Sequence, residues 1–270
     1  MQHLDLSVRS TAPIDAETWP IQICLLGDFR LLQAGQPLAL RSGGKTEALL
    51  CQLGLQARRR VARPALLHLL WPDSDDGQAS QSLNSLVYSV HKQIGQAIGG
   101  AAPVLHEDGY YRLNREAGVG VDVATFDALA QIGDQQARSG DLNNAALSYS
   151  RCVQLYRGDL CVTTDVNAIV ERERLRTRYL TLLSKLADHY CRVGDDAACL
   201  EYAWLLLAHD PCREDAHRVV MRCHVRCGER AAALRHYQVC EDILRSEFGA
   251  APEPATTALF EQIRCEPESI

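Results

Sequence analysis

The sequence predicts a mainly α chain in two parts: short strands with three helices and a closing hairpin, then an all-α series of helical repeats. Two patterns carry this expectation. The hydrophobic period changes from that of strands to that of helices near Lys45, and beyond Val121 the chain resembles itself at a spacing of 34 residues. Charge divides along the same line. Residues 21–120 hold ten Lys/Arg against eight Asp/Glu, whereas residues 121–270 hold 17 against 23. An acidic C-terminal part joined to a mildly basic N-terminal part suits a chain of which only the first part meets nucleic acid.

At 270 residues, 47% hydrophobic and 23% charged, the chain is long enough for two domains and too apolar to be disordered. No apolar run reaches the roughly 18 residues of a spanning helix, and MQHLDLSVRSTAPIDAETWP lacks the basic-then-apolar order of a signal peptide. A cytoplasmic protein with no membrane partner is expected, with residues 1–20 as a loose arm. Eleven cysteines, an odd number without an export signal, are read as reduced thiols.

Ile21–Leu26 is a short β-branched run stopped by Gly27-Asp28; Phe29–Leu32 and Leu38–Leu40 follow around Gly35-Gln36-Pro37, so three short strands are expected. Ala48, Leu49 and Leu53 then fit a helix that Arg58-Arg59-Arg60 closes with cations. A second helix begins at Pro64 and stops before Trp71-Pro72. In the third, Leu83, Leu86, Val87, Val90 and Ile94 form one apolar stripe, with Asp75 and Asp76 at its start. Val104–His106 and Tyr110–Leu113 flank Asp108-Gly109, a pair suited to the positive φ of a hairpin turn. Strands, three helices and a hairpin are the order of a winged helix of the OmpR/PhoB kind, with the third helix in the recognition position.

Gly194-Asp195 and Gly228-Glu229 lie 34 residues apart, the tetratricopeptide period, and Gly140-Asp141 lies 54 before Gly194, one period plus a 20-residue insertion. Counting from each glycine, position +5 holds Ala145, Cys199 and Ala233, +9 holds Tyr149, Ala203 and Tyr237, and +12 holds Cys152, Leu206 and Cys240. Positions –11, –8 and –7 hold Leu129/Ile132/Gly133, Leu183/Leu186/Ala187 and His217/Val220/Met221. Such units bury small residues where paired helices touch and stack into a solenoid.

Three constellations bear on chemistry. Ser42-Gly43-Gly44-Lys45-Thr46 ends like a phosphate-binding loop, but the glycine required five places before Gly44 is Ala39, so a helix start with an exposed Lys45 is expected instead. Cys223 and Cys227 are four apart with His224 between them, yet no C-x-x-C occurs, and Cys152, Cys199 and Cys240 fall on repeat positions where cysteine acts as a compact hydrophobe; no metal site is assigned. No nucleophile–base or paired-carboxylate pattern is present, so no catalytic residue, enzymatic step or cofactor is assigned. Opposite the apolar stripe of the third helix lie Gln81, Asn84, Ser85, Tyr88 and Lys92, of which Gln and Asn are side chains that can bond bidentately to adenine in the major groove. Arg112 on the hairpin, Lys45 and Arg58–Arg60 are candidate phosphate contacts; the rival for the third-helix face is an ordinary solvated helix surface.

ICLLGDFRL, KTEALL, LLHLLWPDSD, ASQSLNSLVYSVHKQI, GYYRLN, VDVATFDAL, LYRGDL, HDPCREDAHRVVMRCHVRCGERAAALRHY and EFGAAPEP, spread over about residues 21–265, resemble successive motifs of the SARP-type (antibiotic regulatory protein) activators. The resemblance implies an OmpR-like winged helix at 21–115 and a bacterial transcriptional activator domain of tetratricopeptide-like helices at 122–265. It further implies a transcriptional activator that binds double-stranded promoter DNA at direct repeats, as a homodimer or tandem protomers, and contacts RNA polymerase holoenzyme. Family members usually carry consecutive arginines late in the third helix, where this chain has His91-Lys92. The alternative of another class is a repeat scaffold whose winged helix has lost DNA binding.

Overall fold

The computed structural model describes residues 19–39, 44–57, 59–162, 166–266, 268 and 270. Most of the N-terminal arm, the Ser42-Gly43 pair and Arg58 therefore lie outside the described residues. The chain divides into two compact units, one taking in residues up to Phe126 together with Arg157–Ala168, the other Asp127–Tyr156 with Ile169–Ile270.

In the first unit, β1 (Ile21–Cys24) pairs antiparallel with β2 (Arg30–Gln33), and β2 with β3 (Gln36–Pro37) across a turn in which Ala34 and Gly35 both take positive φ. Helix α1 (Lys45–Leu55) buries Leu49, Leu50 and Leu53, and α2 (Arg63–Leu70), which starts with Pro64 in its first turn, buries Leu66 and Leu70. Helix α3 (Asp76–Ile94) buries Leu83, Val90 and Ile94 and is capped by the Asp75 carboxylate, which accepts from Gly77 N. The expected hairpin is present: β5 (Val104–Glu107) and β6 (Tyr110–Leu113) join through Asp108 (φ 52°) and Gly109 (φ 79°).

Three short elements carry no sequence signal. Val61–Ala62 forms β4, which pairs with β6; a 3₁₀ turn covers Gly95–Ile98; and Val119–Val121 forms β7, which pairs parallel with β1 nearly a hundred residues earlier. The first sheet has the order β3-β2-β1-β7 and the second β4-β6-β5.

Directly after β7, Asp122 opens α4 (Asp122–Arg138) with a carboxylate only 2% exposed. It accepts from Leu25 N at 2.9 Å, Leu26 N at 2.9 Å and its neighbour Val123 N at 2.8 Å. Burial pushes its pKa up, and the backbone N–H bonds and the charge of Arg30 work against that rise.

The repeats form helix pairs. Helices α4 and α5 (Leu142–Leu155), α6 (Val166–Val193) and α7 (Asp196–His209), and α8 (Glu214–Arg226) and α9 (Arg230–Phe248) turn at Gly140, Gly194 and Gly228, each with φ between 77° and 86°, and α10 (Pro254–Cys265) follows. Asp141 and Asp195 cap α5 and α7 through their side chains. The small positions are buried as expected: Cys199, Ala233, Cys152 and Cys240 have no exposed surface. Gly133 is required by packing, because a Cβ there would lie 2.4 Å from the ring of Tyr149. Ile132 departs from the pattern and is 44% exposed.

The 20-residue insertion has a structural use. Its residues Arg157–Ala168 group with the first unit, where Leu160 bridges antiparallel to Leu26, Gly27 N donates to Asp159 O at 3.0 Å and Cys161 N to Leu25 O at 2.9 Å. Gly27 and Gly158 meet there, with a Cβ on Gly158 falling 3.3 Å from Gly27 Cα.

In the second unit His217 and His236 are buried and bonded to each other, Nδ1 to Nε2, at 2.9 Å. His217 Nε2 lies 2.8 Å from the Pro211 carbonyl, which can only accept, so that nitrogen carries the proton. His217 Nδ1 is then the acceptor and His236 Nε2 the donor, with both rings neutral.

Two outcomes follow from these buried groups. Asp122→Ala leaves the N–H groups of Leu25 and Leu26 without an acceptor and should cost roughly 2–4 kcal/mol, read as a lower urea midpoint, with Asp122→Asn losing less because one acceptor oxygen remains. Desolvation holds both histidines below the ordinary value, with His236 brought down to about 4 by burial and by its neighbours His217 and His224. The unfolded chain takes up protons near pH 6.5 while the folded one resists until about 4, so this contribution is whole above pH 6.5 and is lost as pH falls towards 4. Urea midpoints between pH 7 and 4.5 should fall, and the fall should shrink in His236→Gln; equal slopes in the two proteins would refute the assignment.

Candidate nucleic-acid interface

Helix α3 separates its two faces cleanly. Leu83, Val90 and Ile94 are buried, while Gln81, Asn84, Ser85, Tyr88 and Lys92 are all exposed, Tyr88 by 70%. The five residues chosen from the sequence therefore share one open face, which combines two amides, a hydroxyl, a phenol and one cation. Such a face can exchange hydrogen bonds and stack, and its single lysine gives it little pull on a polyanion.

Arg63 was not singled out from the sequence, and it organises this face. From the first position of α2 its Nη1 donates to Asn84 Oδ1 at 3.2 Å and to the Tyr111 hydroxyl of β6 at 2.6 Å, while Nη2 donates to Ser80 O at 3.1 Å. One guanidinium thus ties α2, α3 and the hairpin together. Since arginine can only donate, the amide oxygen of Asn84 must face it, and the Nδ2 group is left as the free end. A sequence clue was available: a cation at a helix N-terminus opposes the helix dipole, so Arg63 requires a partner elsewhere.

The phosphate candidates are more heavily engaged. Arg112 is paired with Glu107 at 3.9 Å and Glu116 at 3.6 Å, and Arg60 is paired with the same Glu107 at 3.8 Å. Arg59 is exposed. Lys45 donates to Leu70 O at 2.5 Å and lies 4.5 Å from the centre of the Trp71 ring, which makes it a cap on the C-terminus of α2. The hairpin tip is acidic, with Glu107 and Asp108 beside an exposed Tyr110, and His106 stacks on Tyr111 at 4.3 Å.

Among the described residues no group of three His, Cys, Asp or Glu side chains is arranged to hold a metal, and no helix is long and apolar enough to cross a membrane. An open cavity of about 360 Å³ lies along α6, lined by Arg174, Arg178, Lys185 and Asp134 among others. Its charges are mutually paired: Asp134 takes Arg178 and Lys185, and Arg174 takes Asp127 and Glu171.

The bacterial transcriptional activator domain family model matches residues 121–264. Regulatory protein DnrI of Streptomyces peucetius is 27% identical over 208 residues, which are 74% of this chain and 76% of that protein. The structure of Mycobacterium tuberculosis EmbR in complex with a low affinity phosphopeptide matches 91% of this chain with a TM-score of 0.69 at 22% identity, a likeness of fold. This chain spans 65% of the length of that EmbR chain.

Proposed function

This chain belongs to the bacterial transcriptional activator domain family, as its resemblance to the SARP-type activators implied, and from that premise we propose that it activates transcription by reading promoter DNA with the exposed face of α3. The observation that carries the reading is the open amide-rich face of α3, one of whose amides is oriented by Arg63. Gln81, Asn84, Ser85, Tyr88 and Lys92 make the base and nearby phosphate contacts, and Arg112 and Lys45 contribute to phosphate binding only as far as their present partners release them. The DNA-reading elements lie within residues 21–115, and the activator role, with its contacts to RNA polymerase holoenzyme, belongs to 122–265. The protein works in the cytoplasm without an enzymatic step.

Asn84 enters this reading with a defined polarity. Its oxygen is occupied by Arg63, so Nδ2 donates to an acceptor on a base edge, such as guanine N7 or O6 or thymine O4, instead of pairing bidentately with adenine. The weak charge of the face also calls for a second protomer: one module with one lysine on its reading helix gathers few phosphates, and tandem copies on direct repeats restore affinity.

Selection of bound sequences from a random pool tests the first point. Gln81→Ala and Asn84→Ala should each lose about 1–3 kcal/mol of discrimination at one base position, and Arg63→Ala, which frees the Asn84 oxygen to accept from adenine N6, should raise the preference for adenine at the Asn84 position. Unchanged preferences in all three would move the recognition role to other residues, and no enriched sequence with the unaltered chain would favour the scaffold reading, which the pairing of Arg60 and Arg112 with Glu107 supports.

Spacing tests the second point. Half-sites about 10–11 base pairs apart put both protomers on one face of the duplex, and a change of about 5 base pairs puts them on opposite faces. Footprinting and transcription should both weaken at the altered spacing; equal occupancy and equal transcript at both would mean that one protomer suffices.

A further inference from the structure

Cys191 near the end of α6, Cys199 in α7 and Cys223 in α8 converge on Arg226 in the second unit. The sulfurs of Cys199 and Cys223 are 3.5 Å apart and fully buried. Arg226 donates from Nη1 to Cys191 Sγ at 3.3 Å and from Nη2 to Cys223 Sγ at 3.4 Å, and also pairs with Asp196. Cys191 is partly exposed. Packing accounts for Cys199, which occupies the repeat position held elsewhere by Ala145 and Ala233, but it does not account for two thiols held on one guanidinium with Cys199 against the second of them.

We infer that Cys191, Cys223 and Cys199 form a thiol-oxidation relay in which a peroxide, met at Cys191, converts Cys199 and Cys223 to a disulfide. Arg226 holds the sulfurs of Cys191 and Cys223 on one planar group, and a thiol must give up its proton to act as the nucleophile of each step. The hydrogen bond shared with Cys199 and then the Arg226 charge bring the Cys223 thiol down, while its partner Cys199 is pushed up.

The Cys191 thiolate attacks a peroxide oxygen: the S–O bond forms, the O–O bond breaks, and hydroxide leaves. The Cys223 thiolate, held on the same guanidinium, attacks Cys191 Sγ, forming an S–S bond and expelling the second hydroxide. Cys199 then attacks Cys223 Sγ and releases Cys191 as a thiolate. The two thiol protons of Cys199 and Cys223 end on the two hydroxides, so two thiols and one hydrogen peroxide give one disulfide and two waters. Closing the Cys199–Cys223 contact to a bond needs a movement of roughly 1.5 Å, within the range of side-chain rotation.

Treatment of the full chain with hydrogen peroxide, alkylation of the remaining thiols and peptide mass spectrometry without reductant tests the relay. The expected result is two thiols lost, a Cys199–Cys223 cross-linked peptide, and full recovery with dithiothreitol. Cys191→Ser should reach the same product at least about tenfold more slowly. Cys199→Ala, the residue its sister repeats use, should stop at a Cys191–Cys223 disulfide. Retention of all eleven thiols, oxidation confined to the exposed Cys227 and Cys265, or an unchanged rate in Cys191→Ser would each overturn the inference.

Discussion

The N–H groups of Leu25 and Leu26 leave the end of β1 with no strand to donate to, and the carboxylate that takes them belongs to Asp122, 97 and 96 residues further on. An unmet donor at that depth would be costly, and so would an unpaired carboxylate; each removes the other's penalty. The same few residues set the rest of the first unit. Parallel pairing of β7 with β1 brings Asp122 to the strand end, and the insertion then supplies Leu160, Asp159 and Cys161 to the backbone of Leu25–Gly27. A fragment ending at residue 115 would lack the neighbouring strand, the carboxylate and the insertion together.

On the α3 face, orientation replaces charge. Arg60 and Arg112, which a duplex would attract, share Glu107, and the hairpin tip is acidic. Arg63 spends its charge inside the fold, on Asn84, Tyr111 and Ser80 O. What remains outside on α3 is four neutral groups and Lys92, with one of the amides held in a known sense. Neutral contacts release few counterions, so under the proposed reading their contribution to DNA binding would vary little with salt.

Local patterns were legible in the sequence, and pairings across the chain were not. The apolar stripe of α3, the Asp108-Gly109 turn and the 34-residue register each depend on residues within a turn or a helix pair, and each appears where the spacing put it. The parallel partner of β1 is only three residues long and contains Gly120, so nothing local distinguishes it from a loop. The five α3 residues could be chosen because burial of one face exposes the other. Lys45 could not be judged in the same way, because its engagement with Leu70 O and Trp71 arises from α1 meeting α2. Arg63 carries no such local sign, since its partners come from two other elements, α3 and β6.

Within the repeats, α8 holds the groups least tolerant of change. It packs on both α7 and α9, and it supplies His217 to the neutral imidazole pair, Met221 to the cluster with Ala233, Leu259 and Ile263, and Cys223 and Arg226 to the sulfur cluster. Repeat units owe their stability to nearest-neighbour interfaces, so a helix with a packed neighbour on either side enters two such terms at once. With these tautomers His236 Nδ1 is the one ring nitrogen of the pair that can take a proton while both existing bonds persist, and the charge so formed is buried. A change of charge or covalent state on α8 is therefore felt on both sides of it.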